Sequence, residues 1–217
     1  MALLRVWVYG CVSIWVCAHM DFRPELSLRQ VEWLCSHDYV IVSFIARGMN
    51  AGVWLVSKNG KWYAAKMSHR KSTRVRMTEK EVLHLEMANV LSVGPRIVEC
   101  DALENILVME YIRGKTLATW LNENNSKKLL KVVLKRVFAQ AQKLDEGKLD
   151  HGQLGGKLHN ILVDAKNNPH IIDFEKASYV RKPRNVNSLK HALLSGHTGF
   201  SVRIREMLSP GDLRVFE

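Results

Sequence analysis

At residues 110–114 a strand-rich half of the chain gives way to a mostly helical one, and that division restricts the fold more than any other feature. Over residues 39–65 the apolar residues come in short blocks, YVIVSFIA, VWLV and KWYAA, each of strand length. Ser57-Lys58-Asn59-Gly60 divides the last two, and its Asn-Gly pair predicts a tight hairpin. Residues 78–90 then place Val82, Leu85, Met87 and Ala88 among charges, the pattern of an amphipathic helix, which Val93-Gly94-Pro95 stops. RIVEC at 96–100 and NILVMEYI at 105–112 return to strand. After Gly114 the spacing is helical, around residues 117–121 and then over 126–143, where Leu129, Val132, Val133, Arg136, Val137 and Gln140 recur at helical intervals. Short strands are expected near 161–163 and 170–173, and a helix near 188–194. A first helix is expected after Pro24, with Ser27 as its N-cap and Leu28, Val31, Trp33 and Leu34 on its apolar side.

The expected class is therefore α+β, in two parts. Residues 20–112 form an antiparallel sheet with one main helix and residues 113–217 a short, mostly helical part, joined at 110–114, with a ligand cleft expected between the two. Residues 1–19 stand apart. The uncharged run VWVYGCVSIWVCA at 6–18 is shorter than the roughly 18–20 apolar residues of a membrane-spanning helix. It admits three readings: an anchor, a buried strand, or translated upstream sequence with Met20 as the start. The helix signal that begins just after Met20 favours the third.

With 47% hydrophobic and 24% charged residues the composition is that of a globular protein, which excludes disorder and low-complexity sequence. A net charge of +11 favours polyanionic partners such as phosphates, nucleotides or RNA. Cys11, Cys17, Cys35 and Cys100 are too few for a disulfide scaffold and lack CxxC spacing, which suits a reducing, cytoplasmic setting. A membrane partner is not expected.

Several residues could carry chemistry. Ala46, Gly48 and Ala51 are small residues in a turn between two strands, where backbone N–H groups can approach phosphates, and Val53 would lie beneath a flat base. The plain alternative is a hairpin turn. Lys66 ends an apolar strand on the face of Ala64, so an ammonium could hold phosphate oxygens while Ala64 leaves room for a ring; otherwise it is a solvated strand-end lysine. Among Glu79, Glu81 and Glu86, Glu81 is the expected partner of Lys66, because Leu85 one turn on marks the inward face. Asp173 closes the run Ile171-Ile172-Asp173-Phe174 and suits Mg²⁺, with Asn160 as a second oxygen ligand. His151 and Asn160 taken singly read as a packed histidine and a turn residue.

In order and approximate spacing these residues resemble the protein-kinase-like fold in its small RIO and Kae1-associated atypical branch, and are most similar to a group of short archaeal predicted serine/threonine protein kinases. The resemblance covers residues 36–190. It rests on Ala46-x-Gly48-x-x-Ala51-x-Val53, Ala64-Ala65-Lys66, Glu81, His151-Gly152-Gln153-Leu154 with Asn160, and Ile172-Asp173-Phe174-Glu175. It implies a bilobal fold that binds ATP and Mg²⁺ and phosphorylates a protein serine or threonine, its own included. Lys66 would hold the α and β phosphates, Glu81 would orient it, and Asn160 and Asp173 would bind Mg²⁺. Met109 would be the gatekeeper, with the backbone of Glu110 and Ile112 on adenine.

Three departures follow. Gln153 stands where the family has its catalytic aspartate, and an amide cannot accept the hydroxyl proton; Asp150 is a candidate substitute. Asn160 comes two positions later than in ordinary kinases, with Gly155-Gly156 available to absorb the insertion and His159 a rival metal ligand. Asp-Phe-Glu replaces Asp-Phe-Gly, and the chain that follows is too short for an Ala-Pro-Glu segment or peptide-docking helices. Three basic clusters, one of His69, Arg70, Lys71, Arg74 and Arg76, one of Lys127, Lys128, Lys131, Lys135 and Arg136, and one of Arg181, Lys182 and Arg184, are either solvated charge or a surface for a phosphorylated protein, RNA or ribonucleoprotein. The rivals to a kinase are a nucleotide-binding pseudokinase acting as a regulatory module, an antibiotic-kinase type of small-molecule phosphotransferase, and nucleic-acid binding alone.

Overall fold

A computed structural model describes residues 3–8, 12–17, 26–68, 77–123, 126–156 and 158–214. The chain divides into two compact units, residues 1–82 with 96–111 and residues 83–95 with 112–217.

In the first unit, β1 (Leu3–Val8) and β2 (Val12–Cys17) form an antiparallel pair, in register from Leu3 opposite Cys17 to Val8 opposite Val12. Helix α1 (Leu28–Ser36) starts at a capping box, Ser27 Oγ accepting from Gln30 N while Gln30 Oε1 accepts from Ser27 N. Strands β3 (Val40–Arg47), β4 (Ala51–Lys58) and β5 (Lys61–Ser68), helix α2 (Met77–Val90), and strands β6 (Ile97–Asp101) and β7 (Ile106–Glu110) follow. The division between units falls within α2. The five strands pair antiparallel in the order β3-β4-β5-β7-β6. Asn59 and Gly60 at the β4–β5 turn both have positive φ, 52° and 71°, as a two-residue primed turn requires.

Strand alternation sorts the sheet into two faces. Trp54, Val56, Ala65, Met67, Ile106 and Val108 point to one side, where they bury with Leu34 of α1, Tyr39 and Ile41 as the core of this unit. Gln30 is itself buried and ties α1 to the sheet, its Nε2 donating to Ser68 O at 3.2 Å and Glu104 O at 3.1 Å. Tyr39 donates its hydroxyl to Glu99 Oε2 at 2.9 Å; burial first, then that carboxylate, push the phenol well above its ordinary pKa.

The second unit holds β8 (Gly114–Thr116), α3 (Leu117–Glu123), α4 (Lys127–Glu146), β9 (Ile161–Asp164) and β10 (Pro169–Ile171). A 3₁₀ turn (Phe174–Lys176), α5 (Asn185–Lys190), a π turn (His191–Ser195), α6 (Gly199–Met207) and α7 (Pro210–Leu213) complete it. Ser126 caps α4 by accepting from Leu129 N at 3.3 Å, and Leu130, Val133, Leu134, Val137, Phe138, Ala141 and Leu144 make its buried stripe. The small sheet has the order β10-β9-β8, so β10 is an edge. Gln140 of α4 satisfies that edge, donating from Nε2 to Pro169 O at 2.6 Å and accepting from Ile171 N at 3.3 Å. Trp120 Nε1 and Arg136 Nη1 hold Asn167 and Asn168 in the β9–β10 turn.

Three expectations need correction. The last short strand ends at Ile171, not at residue 173, because Asp173 leaves the extended region with φ 67° and ψ 73°. The helix expected at 188–194 starts at Asn185 and passes into the π turn. The elements β8, α6 and α7 were not expected; α6 nonetheless has a cap signal, Thr198 Oγ1 accepting from Ser201 N at 3.2 Å.

Candidate functional site

In the first unit the register sets Val53 opposite Lys66, Ala64 between Leu55 and Met109, and Lys66 opposite Leu107. Directly opposed residues share a face, so Val53, Ala64, Lys66 and Met109 lie together on the side of the sheet away from its core. Lys66 Nζ donates to Glu81 Oε1 at 2.7 Å, and the two side chains are only 12% and 6% exposed. Glu79 and Glu86 are exposed. The turn at residues 48–50 is a hairpin turn in which Gly48 N–H already donates to Ala51 O at 2.7 Å, so a phosphate there would need other groups of the loop. Ala46 pairs with Val53 and Ala51 with Ser68. Gly52 serves packing, since a Cβ on it would come within 2.4 Å of the Trp54 ring. Glu110 N–H donates to Arg96 O at 2.8 Å, which leaves any contact to a base from Glu110 to its carbonyl.

In the second unit the loop at 150–153 is held by side chains. His151 is fully buried; a carbonyl can only accept, so its Nε2–H donates to Ile172 O at 2.9 Å, and its ring stands edge-on to Phe174 at 4.9 Å. Burial lowers its pKa, opposed by the Ile172 bond and by the charges of Asp173 and Asp150. His151 is thus a packed residue that fixes the backbone just before Asp173. Asn185, 1% exposed, is the hub of this region: it accepts from His151 N at 2.8 Å and donates to Leu149 O and Asp145 Oδ1, both at 2.7 Å. Asp145 also accepts from the backbone of Asn185 and Val186, capping α5.

Asp150, the candidate substitute base, is buried and engaged, accepting from Arg181 Nε at 2.8 Å and Arg184 N at 3.3 Å. The Gln153 side chain is half-buried and makes no hydrogen bond among the described residues. Asn160 and Asp173 sit at one end of the β9–β10 hairpin: Ile172 N donates to Asn160 O at 2.9 Å, continuing the ladder from the Ile171–Ile161 pair. An amide oxygen and a carboxylate are hard donors that suit Mg²⁺, which takes few protein ligands and completes its shell with water and phosphate. His159 is exposed on the preceding turn. Among the described residues no group of three or more His, Cys, Asp or Glu could hold a metal ion. Asp164 shapes the hairpin turn; burial raises its pKa, but bonds from Asn168, His170 and Lys166 outweigh this and hold it below its ordinary value.

The basic cluster at 69–76 lies outside the described residues. In the second cluster Lys127 and Lys131 both pair with Asp212, whose carboxyl is held well below its ordinary pKa by the two lysines, and Arg136 is used by the Asn167–Asn168 turn. Sequence reasoning missed Asn185, Asp145 and Gln140. Asn185 begins a helix with no acid in its first turn, and nothing local announces the distant groups that it joins.

An antiparallel five-stranded sheet carrying a buried lysine–glutamate pair, followed by a helical unit with a histidine loop and an Asp-Phe step, defines the protein-kinase-like class. Within it the chain belongs to the RIO family, an atypical kinase-like group: the RIO domain model matches residues 56–201. That stretch contains Lys66, Glu81, Gln153, Asn160 and Asp173 and begins after the 46–53 loop. No curated protein matches the chain. Among the described residues no helix is long and apolar enough to cross a membrane.

Proposed function

We propose that the protein binds ATP with Mg²⁺ and transfers the γ-phosphoryl group to a serine or threonine hydroxyl of a protein, its own chain included. The observation that carries this reading is the Lys66–Glu81 pair on the face of the sheet opposite Trp54, Val56, Ala65 and Met67. Burying an ion pair is a poor route to stability, because desolvation offsets most of the attraction. An ammonium held firm beside Ala64, with Val53 and Met109 as apolar floor, is instead suited to phosphate oxygens and a flat base. Asn160 and Asp173 would hold Mg²⁺, which when bound neutralises phosphate charge as the transfer proceeds. Gln153 can orient the acceptor hydroxyl by hydrogen bonding but cannot take its proton, so the rate falls by about 10²–10⁴ relative to an aspartate. Serine/threonine specificity rests on the family resemblance, and a cytoplasmic setting on the free thiols of Cys35 and Cys100.

Gln153, together with the engaged Asp150, favours a second reading, a nucleotide-binding pseudokinase whose occupancy regulates a partner. Radiolabelled ATP with Mg²⁺ separates the two. The kinase reading expects slow labelling that Lys66→Ala and Asp173→Ala abolish and Gln153→Asp accelerates. ATP–Mg²⁺ that raises the melting temperature without labelling anything selects the pseudokinase. If nucleotide shifts neither stability nor label, both readings fail.

A further inference from the structure

Residues 178–184 run between the Phe174–Lys176 turn and α5, and hydrogen bonds fix their shape. Asp150 N donates to Ser178 O at 2.9 Å and Ser178 N to Asp150 O at 2.8 Å. Ser178 Oγ accepts from Val180 N and Arg181 N, each at 3.2 Å. Arg181 folds back to give Nε to Asp150 Oδ2 at 2.8 Å and Nη2 to Lys176 O at 2.6 Å. It crosses Gly152, whose φ of +79° and absent Cβ make room: a Cβ would come within 2.4 Å of Nη2. Arg184 N closes the far end on Asp150 Oδ1. Asp150 therefore holds the segment at both ends, its main chain on Ser178 and its carboxylate on Arg181 and on Arg184 N, with Arg181 acting as a clamp whose side chain is half-exposed.

The side chains that this anchoring turns outward are not those of an ordinary loop. Tyr179 is 53% and Val180 83% exposed, with the Tyr179 ring edge-on to His84. Lys182 and Arg184, two and four positions after Val180, are exposed too, and neither side chain has an ion pair among the described residues. A rigid turn that presents tyrosine and valine to water, rimmed by two cations, has the make-up of a contact surface, and its rigidity removes the ordering cost of binding. The basic side of α4 differs. Its exposed residues Lys128, Lys135 and Arg136 are all polar, and Lys127 and Lys131 are occupied by Asp212. Charge alone would suit nucleic acid on either surface, whereas an apolar anchor within the charge suits a peptide.

We infer that residues 179–184 dock an acidic segment of a partner protein, with Tyr179 and Val180 receiving an apolar side chain and Lys182 and Arg184 its carboxylates. This deepens the kinase reading, on which its role in presenting an acceptor rests. The test uses the full chain and a fluorescein-labelled peptide, Glu-Glu-Leu-Glu-Glu, followed by anisotropy at about 50 and about 300 mM salt, either side of the ionic strength at which the screening length is about 8 Å. The Lys182→Glu/Arg184→Glu chain is expected to bind at least about tenfold more weakly and Val180→Ser about threefold, whereas Lys128→Glu/Lys135→Glu, with the same charge change on α4, moves affinity less than about twofold. Melting curves establish that each variant is folded. Equal losses at the two surfaces, no effect of Val180→Ser, or single-stranded RNA of matched charge binding more tightly through the same residues would each overturn the inference. The assay contains no nucleotide, so a chain that labels but does not bind the peptide sinks only this inference, and one that binds but does not label sinks only the catalytic reading.

Discussion

The residues proposed for nucleotide are positioned by different means in the two units. In the sheet unit Val53, Ala64, Lys66 and Met109 share a face because a regular antiparallel ladder alternates its side chains, while the core that supports them lies on the opposite face. In the helical unit the loop of His151 to Gln153 and the step of Ile172 to Asp173 are irregular backbone, held by His151, Asn185, Asp145, Asp150 and Arg181. Backbone ladders tolerate the loss of a side chain on their open face. A loop built from side-chain bonds does not, because each removal leaves buried polar groups without partners.

The largest effect should come from breaking the hub of the second arrangement. Asn185→Ala deletes the acceptor of His151 N and the donors to Leu149 O and Asp145, and is expected to cost about 4 kcal/mol, read as the urea midpoint of the helical unit. Hydrogen exchange at His151 and Asp173 should rise with it. A loss below about 1 kcal/mol would mean that backbone alone sets these loops, and the contrast would disappear.

The sheet offers the converse measurement. Glu81→Ala takes the carboxylate from a lysine that is 12% exposed and should cost about 3 kcal/mol, the penalty for stranding one member of a buried pair. Lys66→Met with Glu81→Leu should return stability to within about 1 kcal/mol of the wild type, because the strand holds its place without either charge. A double variant as unstable as the single one would show that this face, too, depends on its side chains. The same variant must lose nucleotide-dependent stabilisation if Lys66 has the role proposed for it.

The contrast also explains what could be read from the sequence. Asn59-Gly60, the period-two blocks and the Ser27 cap act over a few residues, so the sheet, α1 and the shared face of Ala64 and Lys66 were legible. Glu81 was distinguished from Glu79 and Glu86 because helix periodicity assigns an inward side. The helical unit resisted for a reason of distance. Asn185 meets His151 and Asp145 across more than thirty positions, Gln140 meets β10 across about as many, and no local pattern encodes such bonds. Asp173 was placed on a strand because Ile171 and Ile172 are apolar, whereas the chain departs into a left-handed turn that an aspartate can adopt. By its charge Arg181 reads as solvated or as part of a surface for a polyanion, whereas its half-exposed guanidinium is tied to Asp150 and Lys176 over Gly152.

The smallest effect is a pH dependence that belongs to the helical unit. Burial lowers the pKa of His151 below its ordinary value in the folded chain, against the Ile172 bond and the charges of Asp173 and Asp150. The unfolded chain therefore binds a proton more readily. Stability from this group is fully present above the unfolded value and is lost as pH falls from there towards the lowered folded value. Within that window the slope approaches one proton, about 1.4 kcal/mol per pH unit. His151→Gln retains a donor for Ile172 O but does not titrate, so the difference between wild-type and variant urea midpoints should shrink between about pH 7.5 and about pH 5.5, roughly one unit either side of the free imidazole. The shrinkage should be confined to probes in the helical unit, to which His151 belongs. Equal acid sensitivity of wild type and variant would show that His151 takes a proton at Nδ1 in place, its Nε2–H still on the Ile172 carbonyl, and that burial does not oppose its charge.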